Sequence, residues 1–304
     1  MKPLALLFVF LTVPLLVIAD PQGDYWKLLN SGDYPNALTA LQAWEKTEPD
    51  SPEVIVGYIN YHFSKSRTSG YSIDDFVKTG SGQEGSKITF HDPKSGKDYY
   101  LNNKVFYDQA EIAEALTYFD LGISKFPDRL DIRFGKIHVL NEVEDYVSAG
   151  VETAKTLERS AQNGNSWLWT SNNPYPKNGT GFLTDLQDYY NIWFKSQAAD
   201  GFEAIRTAAE TQIRLYPNHS WAYDNLALYY SHVHDGNNQI RLLLQSLQVD
   251  PTDMTTVNNV ANFYRLHDDK QKALQYYNMM LQSNDPNAKA RAKQMIDSLN
   301  QAQQ

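Results

Sequence analysis

An all-α fold of stacked helical hairpins is what this sequence predicts, on three observations. Proline recurs at Pro217, Pro251 and Pro286, spacings of 34 and 35 residues, each time after an amphipathic stretch and before a polar residue. Leu226, Ala227 and Tyr230 are answered 34 residues later by Val260, Ala261 and Tyr264. The segments GDYPNA (32–37), EDYVSA (144–149) and DDKQKA (268–273) match one another, and each ends on an Ala where two helices would turn back. A fixed period of this size is the sequence signature of a helix–turn–helix solenoid, in which each hairpin is too short to bury its apolar face and takes cover from the next.

Taken in order, the chain opens with Lys2, an apolar run over 4–18 and small residues before Asp20. That is the pattern of a cleaved secretory leader at 1–19, followed by a solenoid domain over 20–304. The first hairpin runs from Pro21 to Pro49. PEVIVGYINYHF then opens a second, with Pro52 at the favoured first position of a helix. EIAEALTYFDLGISKFPD supplies its return helix only after an insertion at 64–107, rich in Gly, Ser and Lys. Within that insertion KITF and DYYL flank HDPKSGK, a turn with Pro and Gly, and predict a two-stranded β-hairpin. It is either a decorative loop or a flap over a binding face, where solenoid insertions often map.

A third hairpin spans 130–160. Asn, Gly and Pro then break the pattern over 163–181, a loop carrying Trp167, Trp169 and Tyr175. These aromatics are expected to tuck onto the helices; the alternative is an aromatic platform for a glycan or peptide. A fourth hairpin (182–217), a fifth (220–251), a sixth (252–285) and a capping helix (286–300) with Ala288, Ala292, Met295 and Leu299 on one side complete the array.

With these positions laid out, the sequence resembles the tetratricopeptide repeat (TPR) family. Tyr223, Leu226, Ala227 and Tyr230 fall on the family's first-helix pattern in the fifth hairpin, and Val257, Val260, Ala261 and Tyr264 in the sixth. Ala273, Tyr277 and Met280 fall on the second-helix pattern. Gln239 stands where the family has Ala, and Pro286 falls one residue late. The resemblance implies an all-α, right-handed TPR-like solenoid with a small β-hairpin insertion.

Composition removes whole classes of function. There are no cysteines, so no disulfide framework, thiolate metal site or cysteine nucleophile is available. The chain carries 27 Lys and Arg against 36 Asp and Glu, a net charge of −9, without the basic stripe a nucleic-acid binder needs. No second long apolar stretch follows the leader, so no integral membrane segment is expected after cleavage. His232, His234 and Asp235 in SHVHDG have the residue types of a metal site, but no third His stands in register with the pair, and a polar turn is the expected reading. No nucleophile elbow, Walker loop, His-Glu-x-x-His or dinucleotide glycine pattern occurs, so no catalytic residue, metal or cofactor is assigned. Asn178 and Asn218 sit in Asn-x-Ser/Thr sequons.

What remains is the concave face that first helices line. The family's exposed first-helix positions fall on Asn60, His138, Asn141, Asp224, Asn225, Leu228, Asn258, Asn259, Asn262 and Arg265. Carboxamides there resemble a peptide-holding groove, since Asn bonds both donors and acceptors of an extended backbone; the alternative is that Asn is an ordinary surface residue of an Asn-rich chain. The expectation is a non-catalytic scaffold or assembly factor, secreted or periplasmic, holding a protein or peptide partner. The alternatives are a secreted hydrolase or glycan-binding protein that uses the insertions, and a repeat protein that self-associates.

Overall fold

The computed structural model describes residues 20–75 and 88–301. The leader at 1–19 and residues 76–87 of the insertion lie outside the described residues. Thirteen α-helices and one small sheet are present among those described, the all-α fold with a β insertion that the period and the turns predict. The chain divides into two compact units, one up to Tyr118 and one from Phe119.

In the first unit, α1 (Pro21–Asn30) and α2 (Tyr34–Thr47) form a hairpin, and α3 (Pro52–Ser66) packs on it. Tyr25, Leu41, Trp44, Val54 and Tyr58 make the core. Gly57 lets the helices close: a Cβ there would meet Leu41 Cδ1 at 2.7 Å, and Tyr25 donates its hydroxyl to the Gly57 carbonyl at 2.5 Å. The insertion then forms β1 (Arg67–Asp75), β2 (Ile88–Asp92) and β3 (Lys97–Tyr107). The expected hairpin is there, with Asp92 accepting from the amides of Lys94 and Ser95 in the turn. It is nonetheless one half of a three-stranded antiparallel sheet in the order β1-β3-β2. The predicted hairpin is thus extended by a third strand. RTSGYSIDD pairs residue for residue with the long third strand, from Arg67 opposite Tyr107 to Asp75 opposite Tyr99, and a third strand gives the hairpin the support that two strands alone lack.

The sheet leaves and re-enters the helices at one point, where the Asp108 amide donates to the Ser66 carbonyl at 2.9 Å. Beyond it α4 (Gln109–Lys125) returns beside α3. Tyr58 stacks on Tyr118 with ring centroids 4.6 Å apart, and Glu111 pairs with His62 at 2.8 Å and Lys65 at 2.6 Å.

The second unit contains α5 (Leu130–Glu142), α6 (Tyr146–Gln162), α7 (Phe182–Ser196), α8 (Ala199–Leu215), α9 (Ser220–His232), α10 (Gly236–Val249), α11 (Met254–Leu266), α12 (Lys270–Leu281) and α13 (Pro286–Gln301). The tight turns before α2, α6, α10 and α12 share one design. An Asp N-cap (Asp33, Asp145, Asp235, Asp269) accepts from the amide three residues on, and the residue before it is left-handed: Gly32, Glu144, His234 and Asp268 have φ of 77°, 61°, 58° and 59°. Asp caps the free amides of a helix start, and the matched Ala37, Ala149 and Ala273 are fully buried just inside three of these helices. His234 and Asp235 are thus the turn residue and cap of α10, while His232 stacks on Phe202 at 3.8 Å.

The aromatic loop packs inward. Trp167 and Tyr175 join Leu130, Leu157, Phe182 and Leu186 in one core, and the Trp167 indole donates to Ser160 at 3.0 Å. Arg129, 1% exposed, anchors this region through Asp131 at 2.7 and 2.8 Å. Helices α6 and α8 approach closely, and a Cβ on Gly150 would stand 2.6 Å from the Ala204 Cα. At the end of the chain, α13 lays Ala288, Ala292, Met295 and Leu299 against Val257, Tyr277 and Met280, the capping role its sequence predicts.

Candidate functional site

A recess of about 330 Å³ lies in the second unit between α9, the start of α10 and α11. Each hairpin contributes its first helix, and the tight turn brings the α10 N-terminus against α11. A Cβ on Gly236 would sit 3.3 Å from His267 Nε2, and the His267 ring stacks on Phe263 at 4.0 Å. Asp224, Leu228, Ser231, His234 and Gln239 line one side, and Asn259, Asn262, Phe263, Leu266 and His267 the other.

Asp224 is the electrostatic feature of this recess. Its Oδ2 accepts from Ser246 on α10 and Thr256 on α11, both at 2.7 Å, so one carboxylate ties three helices together. Its Oδ1 is buried without a hydrogen-bond partner. Burial pushes the carboxyl up to about 6; the two hydroxyl bonds oppose that rise and the nearby Asp253 carboxylate adds to it. On the opposite side, Asn262 accepts from the Tyr277 hydroxyl at 2.7 Å, which fixes its carboxamide, and Asn259 is half-buried.

The structure brings together Asp224, Leu228, Asn259 and Asn262 from the sequence-derived groove and turns others inward. Asn225 is 3% exposed and exchanges two hydrogen bonds with Gln187 of α7, at 3.1 and 2.9 Å. Asn141 is buried and accepts from the Trp193 indole at 2.7 Å. Asn258 is buried as well. Arg265 lies near Tyr277, where its charge opposes the rise in the phenol's pKa, and does not line the recess. His138 is exposed on α5. Asn60 belongs to the first unit, where its side chain donates to the Val56 carbonyl at 2.8 Å.

The sequence reading missed Ser231, Gln239, Phe263, Leu266 and His267 as lining residues, and Ser246 and Thr256 as the partners of Asp224. The signal for the lining was available, because residues three to four apart share a helix face and Leu228–Ser231 and Asn259–Phe263–Leu266 have that spacing.

No protein-family model matches the chain, and no curated protein is recognisably similar to it. Solved structures are. MamA (residues 41 to the end) from Desulfovibrio magneticus RS-1 is 16% identical over 56% of this chain and 84% of that one, with a TM-score of 0.35. TTC0263, a thermophilic TPR protein in Thermus thermophilus, is 16% identical over 61% and 91%, with a TM-score of 0.37. YrrB, described as a TPR protein with an unusual peptide-binding site, is 12% identical over 84% and 98%, with a TM-score of 0.36. Likenesses this low assign neither an activity nor a partner.

Proposed function

We propose that the chain is a non-catalytic binding module acting outside the cytoplasm, and that the recess between α9 and α11 holds an extended segment of a partner protein. The observation that carries this reading is the make-up of the recess: the carboxamide of Asn259 and that of Asn262, held by Tyr277, beside the apolar surface of Leu228, Phe263 and Leu266. Carboxamides offer donors and acceptors to a peptide backbone, while the apolar patches receive alternate side chains. Leu266, 68% exposed at the rim, is a large apolar group facing solvent where a ligand would cover it. A glycosidase, by contrast, works with two carboxyl groups flanking the bond, and Asp224 is the one carboxylate among the lining residues described.

The test is selection of binding peptides from a displayed random library, followed by affinity measurements with Asn259→Ala/Leu266→Ala. We expect the double variant to melt as the wild type does and to bind the selected peptides about tenfold more weakly. Equal affinity for both proteins would move the site out of this recess.

A further inference from the structure

We propose that the segment held in this recess is cationic at one point, a Lys or Arg side chain placed over Asp224. This inference rests on the groove reading above and adds the chemistry of its occupant.

The argument begins with what Asp224 lacks. Oδ2 is satisfied by Ser246 and Thr256, but Oδ1 is buried with no donor. A desolvated carboxylate with an unmet oxygen is an unfavourable arrangement for the fold. Structure alone does not require it, because Asn at this position would accept the same two hydroxyls without the charge.

The described lining supplies no permanent cation of its own. Among the described residues no Lys or Arg lines the recess, and Arg265 on α11 is not part of its lining. Charge complementarity therefore points to a positive group arriving from outside. Such a group need not touch Oδ1, since a charge held a few ångströms from a carboxylate in a poorly solvated recess interacts far more strongly than it would in water.

The surroundings fit a long basic side chain. Leu228, Phe263 and Leu266 offer an apolar bed for the methylene stem of Lys or Arg, which packs along such surface while its head seeks the charge. Asn259 and Asn262 then meet the flanking backbone. An acidic segment would place like charge over Asp224, so the recess selects against one.

The experiment compares three pools of short, fluorescently labelled random peptides in a Gly/Ser/Ala/Leu background, each carrying one Lys or Arg, one Gln, or one Glu. Retention of each pool is measured on the immobilised full chain at neutral pH, for the wild type, Asp224→Asn and Asp297→Asn. The last removes the same unit of charge from the exposed face of α13. The expected result is at least about tenfold better retention of the basic pool over the other two by the wild type, a margin abolished in Asp224→Asn and kept in Asp297→Asn.

If the wild type retains all three pools alike, the cationic inference is overturned while the groove reading stands. If no pool is retained, the groove reading fails and takes the inference with it. A margin kept in Asp224→Asn would show attraction to the protein's net negative charge and not to Asp224, and loss of the margin in Asp297→Asn would show that it does not depend on Asp224 in particular; either would also overturn the inference.

Discussion

At single residues, the same buried carboxylate makes a prediction about stability. The fold raises Asp224 from 3.8 to about 6, which means that it favours the protonated form. The contribution of that form is fully present below about pH 4 and is lost as pH rises through 6. Relative to Asp224→Asn, the wild type should therefore lose stability between about pH 4 and 7, by up to about 3 kcal/mol. Urea unfolding of both proteins across that range reads the difference directly; parallel curves would mean that Asp224 is hydrated like a surface acid. A second prediction concerns Gly150. A Cβ there meets the Ala204 backbone, not a flexible tip, so Gly150→Ala should cost about 2–3 kcal/mol from overpacking, although Ala is the better helix former by about 1 kcal/mol. Unfolding at least as hard as the wild type would show that α6 and α8 can separate freely. The residue scale is also where the sequence was least legible. Asn141 and Asn225 stand at groove positions of their helices, but their partners Trp193 and Gln187 lie on α7. That helix fits the repeat poorly, so the pull inward could not be read from the period.

Among the elements, the tight turns were legible because their chemistry repeats, Asp capping the second helix and Ala seating it. What the sequence did not display is that three of four turns place a non-glycine residue in left-handed backbone. A non-glycine residue is disfavoured there by about 1–2 kcal/mol, partly offset by the entropy glycine loses on folding. Glu144→Gly should accordingly stabilise the second unit by about 0.5–1 kcal/mol, read as a higher melting temperature; a lower one would show that the Glu144 side chain stabilises the turn more than its backbone conformation costs. The sheet shows the opposite case. β2 and the start of β3 announced themselves by a turn with Pro and Gly, whereas the first strand, RTSGYSIDD, has no clean alternation and acquires its structure from pairing with β3. Because the helix ends on either side meet at the Ser66–Asp108 hydrogen bond, replacing residues 68–106 by an Asn-Gly turn should leave the helical circular dichroism signal of the remaining chain intact. Collapse of that signal would make the sheet part of the core of its unit.

For the molecule as a whole, the repeat was readable because stacking leaves a period in the sequence. Each hairpin needs its neighbour's cover, so the same small and large positions return every 34 residues. The division near Tyr118 was not readable, because no change of composition marks it. Stacking also dictates what happens at an end of the array. Among the described residues, the apolar face of the α11–α12 hairpin, Val257, Ala261, Ala273, Tyr277 and Met280, is covered by α13. Lys270 adds a tie to that helix by donating to the Leu299 carbonyl at 2.6 Å. In a quasi-one-dimensional fold, the terminal helix solubilises as much as it stabilises, since its outer face is the one presented to water. Truncation after Ser283 should therefore lower stability by several kcal/mol, on the order of 25 cal/mol for each Å² of apolar surface uncovered, and should make the protein associate as concentration rises. Thermal melts and light scattering over a concentration series test both effects. A truncated protein that melts as the wild type does and stays dispersed would show that α11 and α12 close their own core, and that α13 is an appendage to the array instead of its cap.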